Sequence, residues 1–235
     1  MSIKVTWFGH SAFALEVGGR SVVIDPFLSG NPLAPVTHDQ LSAEIILLSH
    51  GHGDHLGDTV ALAQRTGATV VSNVEIVSWL RGKGVDNAAG QNLGGAADYE
   101  FVTVKLTPAL HSSSLPDGTY GGLASGFIIT ERATGLRLYF AGDTALFSDM
   151  QLIGDEGIDV AFLPIGDYFT MGTEDALKAI RYIRPRYVVP MHYNTFPPIV
   201  QDVSGWANRV ANETGALPII LDPGGSYWIN ADNEV

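Results

Sequence analysis

The run Ser49-His50-Gly51-His52-Gly53-Asp54-His55 constrains this chain more than any other stretch. Four potential metal ligands, His50, His52, Asp54 and His55, fall within six residues. They come directly after Glu44-Ile45-Ile46-Leu47-Leu48, a short continuous apolar run that reads as a buried strand. Neutral imidazole nitrogen and carboxylate oxygen suit zinc and other divalent transition metals. Gly51 and Gly53 let a tight loop bend so that alternate side chains converge on one point. A solvated polar loop is the plainer alternative, but three of the chain's seven histidines stand in these six positions.

One loop rarely completes a metal site, so partners are expected at other strand ends. His111 follows the apolar run ending Leu106-Thr107-Pro108-Ala109-Leu110. Asp143 follows Leu138-Tyr139-Phe140-Ala141-Gly142, and His192 follows Val188-Val189-Pro190-Met191. A sheet delivers such residues to one shared edge. A single histidine of this kind reads first as a hydrogen-bonded core residue; together with the cluster at 50–55 the set reads as a metal site.

The rest of the chain alternates short apolar runs, Gly-rich turns and a few helical stretches. Strands are expected at 3–8, 12–17, 21–25, 44–48, 68–72, 99–107, 122–130, 136–141, 158–163, 186–190, 217–221 and 226–229. Helices are expected at 58–66, 74–81, near 145–153, from Thr173 onward, and around 199–213. Residues 26–40 and 85–97 read as loops. Strand-rich segments with interspersed helices appear twice, without a short repeat. Two β-sheets packed face to face with helices on both outer sides fit this order. No linker divides the chain, so residues 1–235 read as one domain.

Composition removes several function classes. The chain has no cysteine, which excludes disulfides, thiol catalysis, iron–sulfur clusters and Cys-bound zinc. Its formal net charge of −12 disfavours nucleic acid as a partner. No run of eighteen apolar residues or secretory signal pattern is evident, so no membrane partner and a cytoplasmic location are expected.

The ligand order His50-x-His52-x-Asp54-His55, then a distant histidine, an aspartate after glycine and a late histidine, resembles the metallo-β-lactamase superfamily. The resemblance runs through nearly the whole chain. Trp7-Phe8-Gly9-His10-Ser11, Ile24-Asp25-Pro26-Phe27, Gly166-Asp167-Tyr168-Phe169-Thr170-Met171-Gly172 and Met191-His192-Tyr193-Asn194-Thr195-Phe196-Pro197 are similar to the UPF0173 metal-dependent hydrolases. These in turn resemble the ascorbate-6-phosphate lactonase group. The resemblance implies an α+β fold, the αββα sandwich. It implies two divalent metal ions, zinc foremost with manganese or iron as alternatives. His50, His52 and His111 would hold the first, Asp54, His55 and His192 the second, and Asp143 would bridge both. Asp25 would lie beneath the metal loop and orient it; a turn-forming Asp before Pro26 is the alternative.

Such a site implies a metal-bound hydroxide that attacks a small ester, lactone or phosphoester. Asp54 could shuttle the proton to the leaving group. His10, at the end of the first strand, either donates a proton and stabilises charge or supports Asp25 or a ligand from behind. Tyr193 and Asn194 read either as substrate contacts or as packing and turn residues. Loop 167–172 reads as pocket lining, and His38 carries no expected role. A phosphodiesterase or ribonuclease of the same superfamily is the alternative function, and the acidic charge counts against it. A di-iron redox role is disfavoured because that class usually carries Glu where His52 stands. A small-molecule substrate is expected, and the oligomeric state, a homo-oligomer included, is left open.

Overall fold

The computed structural model describes residues 2–230. In β1 (Ser2–Trp7) Ile3, Val5 and Trp7 are buried and the residues between them are partly exposed, the period of two that a strand imposes. β2 (Phe13–Val17) and β3 (Arg20–Ile24) continue antiparallel around Gly18-Gly19, both at positive φ. β4 (Ile45–Leu47), β5 (Thr69–Asn73) and β6 (Ala88–Gln91) then join in parallel. The second sheet starts with β7 (Ala96–Tyr99), β8 (Val102–Pro108), β9 (Ser125–Glu131) and β10 (Arg137–Phe140), all antiparallel. β11 (Val160–Pro164), β12 (Tyr187–Met191) and β13 (Leu217–Pro218) add in parallel. β14 (Ser226–Asn230) returns to pair with β1, giving sheet orders β14-β1-β2-β3-β4-β5-β6 and β13-β12-β11-β10-β9-β8-β7.

Parallel neighbours need crossover connections, and helices occupy most of them. α1 (Gly53–Leu56) and α2 (Thr59–Thr66) lie between β4 and β5, and α3 (Val74–Gly82) between β5 and β6. α4 (Met150–Asp155), α5 (Thr173–Ile183) and α6 (Val203–Glu213) serve the second sheet. Leu15, Ile24 and Leu47 of the first sheet join Leu106, Phe127, Phe140 and Phe162 of the second in one buried cluster. Phe13 and Phe162 meet edge to face there at 4.9 Å. Ile46, Leu48 and Val70 belong to a separate cluster with Leu62, Ile76 and Leu80 of α2 and α3. β4 is thus buried on both faces, which is why residues 44–48 read as an unbroken apolar run. Leu177, Ile180 and Trp206 are buried within the main cluster, completing the α+β sandwich with helices on both outer faces.

The expected loop at 85–97 instead holds β6 and the start of β7, each at one edge of its sheet, and the strand expected at 99–107 is divided between Tyr99, which ends β7, and β8 from Val102. Ala, Gly and Gln lack the branched and aromatic signature of strands, and pairing to one neighbour through the backbone decides the conformation. Gly90 also lets α3 come close, since a Cβ there would stand 3.3 Å from Val74 Cα. The helix expected near 145–153 is Met150–Asp155, so residues 144–149 remain a loop. The helix expected from 199 begins at Val203, where the Asp202 side chain accepts from Gly205 N and caps it. The expected strand at 217–221 shortens to Leu217–Pro218. No helix among the described residues is long and apolar enough to cross a membrane.

Candidate metal centre

The segments after β1, β3, β4, β8, β10 and β12 carry His10, Asp25, the 50–55 cluster, His111, Asp143 and His192. Asp25 organises the first of these loops. Its Oδ1 accepts from Ser49 N at 2.8 Å, and its Oδ2 accepts from Ser49 Oγ at 2.5 Å and His55 Nδ1 at 2.7 Å. Because a carboxylate only accepts, His55 Nδ1 carries a hydrogen and Nε2 points away from Asp25. Ser49 Oγ has then given its hydrogen to Asp25 and accepts from His50 Nδ1 at 3.0 Å, which leaves His50 Nε2 bare. Support from this outer layer sets the ring orientations that a metal requires. The second sheet holds the loop as well: Ser125 N and Oγ donate to Ser49 O, and Ser113 Oγ accepts from Gly51 N.

Two groups of donors result. His50, His52 and His111 form one, with His50 Nε2 3.1 Å from His52 Nδ1. His10, Asp54, His55 and His192 form the other. Asp143 is buried beside both. Its Oδ1 is 3.3 Å from His55 Nε2, and its Oδ2 is 3.0 Å from His192 Nε2 and 3.6 Å from His111 Nε2. Asp25, His50 and His55 also lie close enough to share an ion, but both Asp25 oxygens are already taken. Likewise both nitrogens of His10 have partners, Nδ1 with Thr195 Oγ1 at 2.9 Å and Nε2 with Asp54 Oδ2 at 3.3 Å. In contrast, His55 Nε2 and Asp143 Oδ1 are buried and have no hydrogen-bond partner among the described residues. Buried polar atoms are rarely left so, and imidazole with carboxylate is a donor set that fits a divalent ion.

The electrostatics of His50, His52 and His111 agree with that fit, and those of His55 make binding compete with a proton. Burial pushes His50 well below its ordinary value and lowers His52 and His111, which favours the neutral imidazole that a metal needs. Burial opposes charge on His55 too, but the carboxylates of Asp143 and Asp25 outweigh it and hold His55 well above its ordinary value. Burial would raise Asp143, yet His192 and His55 hold it well below the usual carboxylate range.

His10, Asp25 and His192 all adopt left-handed backbone, with φ of 54°, 43° and 55°. Such strain persists only where the surroundings enforce it. His10 O accepts from His192 N at 3.0 Å and Trp7 Nε1 at 2.9 Å, which ties the two sheets together beside the site. Gly166 makes this approach feasible, because a Cβ there would stand 2.0 Å from His192 O. Gly166→Ala is therefore expected to cost about 1–3 kcal/mol of stability by forced overpacking and to weaken metal binding; urea unfolding and metal titration check both effects.

All seven candidate ligands and His10 come together. Asp25 makes the contacts of an orienting residue while also occupying a turn before Pro26. Tyr193 is buried and stacked on Trp7 at 5.2 Å, and Asn194 Oδ1 accepts from Gln201 N, so these two serve packing and a turn. His38 faces Asp39 at 3.4 Å within the short 3-10 turn His38–Gln40. The hydroxyls of Thr195, Ser113 and Ser125 were not anticipated as supports, because Ser and Thr carry no spacing signal of their own.

Residues 4–192 match the family described as the Beta-lactamase superfamily domain. The chain belongs to this superfamily. Within the superfamily it is 51% identical over 222 residues to a UPF0173 metal-dependent hydrolase of Thermus thermophilus, covering 94% of this chain and 97% of that one. A UPF0173 metal-dependent hydrolase of Symbiobacterium thermophilum is 47% identical over 231 residues, covering 97% and 100%. Among solved structures, a metallo hydrolase from the hyperthermophilic archaeon Ignicoccus hospitalis superposes with a TM-score of 0.90 at 39% identity, covering 98% of this chain and 99% of that one. This superfamily member is accordingly a metal-dependent hydrolase, with a His/Asp cluster able to bind metal.

Proposed function

We propose that this hydrolase acts as one domain with two divalent ions, zinc foremost, and cleaves a small ester, lactone or phosphoester. The position of Asp143 supports this reading best: the Oδ1 of this one buried carboxylate faces His55, and its Oδ2 faces both His192 and His111, members of the two donor groups. His50, His52 and His111 would hold one ion, Asp54, His55 and His192 the second, with Asp143 shared. Manganese and iron accept the same nitrogen and oxygen donors. When bound, such ions polarise a substrate oxygen and lower the pKa of water towards neutrality.

The chain's own groups move the proton. Burial, only partly offset by Asp54, pushes His10 down to about 4, so it is neutral near pH 7. Asp54 Oδ2 accepts from His10 Nε2, so His10 Nδ1 is the bare nitrogen and accepts from Thr195 Oγ1 at 2.9 Å. Asp54, steadied by that bond from His10, would take a proton from the attacking water and pass it to the leaving group.

Zinc titration of the metal-free protein by calorimetry tests this. Two ions per chain are expected; saturation at one overturns the two-ion reading. His55 supplies a second readout. Held well above its ordinary 6.5, it carries a proton in the metal-free protein at neutral pH. Its contribution to metal-free stability is full below 6.5 and is lost as pH rises through the folded value. Binding must displace that proton, so about one proton should be released per chain at pH 7, and affinity should rise with pH. Absence of proton release in buffers of different ionisation enthalpy would sink the assignment of His55.

A further inference from the structure

The segments that converge on the metal centre are residues 8–12, 25–44, 48–58, 109–124, 141–149, 165–172 and 192–202. None of the chain's thirteen Lys and Arg residues stands in them. Arg20, Arg65 and Lys83 reach the outer ends of two of these segments, Arg20 being bound to Glu44. Arg65 is held there by the carbonyls of His38 and Leu41, and Lys83 faces Asp117 at 3.9 Å. Phosphoryl groups are normally recognised by guanidinium or ammonium donors. These segments instead carry Asp39, Asp117, Asp149 and Asp167, which repel a phosphate.

The same segments expose carbon to solvent. Leu110, Tyr168 and Phe169 are 55%, 75% and 52% exposed. All three hang from one buried residue next to Asp143. Thr144 Oγ1 accepts from Leu110 N at 2.9 Å, and Thr144 O accepts from Met171 N at 2.9 Å. At its other end the aromatic loop starts from Gly166, packed against His192 O, and Gly166 pairs with Gly172 across its base. The loop is therefore clamped between the strand ends that carry Asp143 and His192. Asp167 and Tyr168 stand at φ of 60° and 56°, and the Tyr168 and Phe169 rings meet edge to face at 4.7 Å. A rigid aromatic pair held in water beside a site marks a surface with an apolar occupant.

We propose that the substrate is an uncharged carboxylic ester or lactone whose apolar acyl group rests on Tyr168, Phe169 and Leu110. This rests on the hydrolase reading above and narrows it. Water adds to the acyl carbon, the bond from that carbon to the alcohol oxygen breaks, one water proton goes to the departing alcohol, and the carboxylic acid keeps the other.

The test uses the zinc-loaded protein with p-nitrophenyl acetate, butyrate and hexanoate, and with p-nitrophenyl phosphate and bis(p-nitrophenyl) phosphate. kcat/KM should rise about twofold to fourfold per methylene, the range for partial to full burial of each group. The gain should lie mainly in KM, and both phosphates should react more slowly than every ester. A Tyr168→Ser, Phe169→Ser double variant should flatten the chain-length dependence while keeping its metal content. As a readout independent of turnover, 2-octanone, a ketone that cannot be hydrolysed, should give a saturation-transfer NMR signal with the wild type that the double variant loses. A flat chain-length profile in the wild type, faster phosphate cleavage, or an unchanged slope in the double variant overturns the inference while the hydrolase reading stands. No turnover of either class overturns the hydrolase reading itself and the inference with it.

Discussion

Asp143→Ala is expected to hold fewer than two divalent ions per chain and to lose about a thousandfold in kcat/KM, the rate equivalent of the several kcal/mol that such ions supply. The buried carboxylate of Asp143 is the anion facing three imidazoles, those of His55, His192 and His111. Removing it leaves His55 and His192 without the charge that they face, in a place where water does not replace it. Asp143→Asn keeps the shape and loses the charge, so it should fail similarly. Elemental analysis and steady-state kinetics at saturating zinc check this. A variant that keeps two ions and wild-type turnover would show that Asp143 is no ligand.

Asp25→Ala is expected to be the most damaging change to folding among residues outside the proposed ligand set. Asp25 is buried and accepts from Ser49 N, Ser49 Oγ and His55 Nδ1. Truncation leaves those donors unpaired in the interior and His55 without one of its two carboxylates. Breaking a buried charged pair in this way costs about 3–5 kcal/mol. Loss of the support that orients His50 and His55 should also weaken metal binding about 10–100-fold. Denaturant unfolding of the metal-free protein and zinc titration measure the two effects separately. Wild-type stability with weakened zinc binding would confine Asp25 to orientation, and the reverse would confine it to folding.

Much of the architecture was legible because strand and helix patterns are local. β1 alternates buried and half-exposed residues, and β4 is apolar on both faces, as their sequences state. β6 and the start of β7 escaped because Ala-Ala-Gly-Gln and Ala-Ala-Asp at a sheet edge carry no such pattern; only pairing with β5 and β8 makes them strands. Among candidate residues, the 50–55 cluster was visible since its candidate ligands are neighbours in the chain. His111, Asp143 and His192 were visible as polar residues after apolar runs. Thr195, which engages His10, was not visible as its support, since its partner lies 185 positions away and one Thr is like any other.

The metal loop in residues 49–55 announces its chemistry through residue type and spacing alone, because ligand preference and loop flexibility belong to the residues themselves. Which carboxylate stands between the two groups of histidines, which histidine keeps both nitrogens occupied, and where the aromatic pair of Tyr168 and Phe169 stands are matters of distance between strands remote in the chain. Those distances are set by how two sheets pack through Phe13, Phe127, Phe140 and Phe162. Such packing is the sum of many weak contacts, so it is decided only when the whole core is assembled.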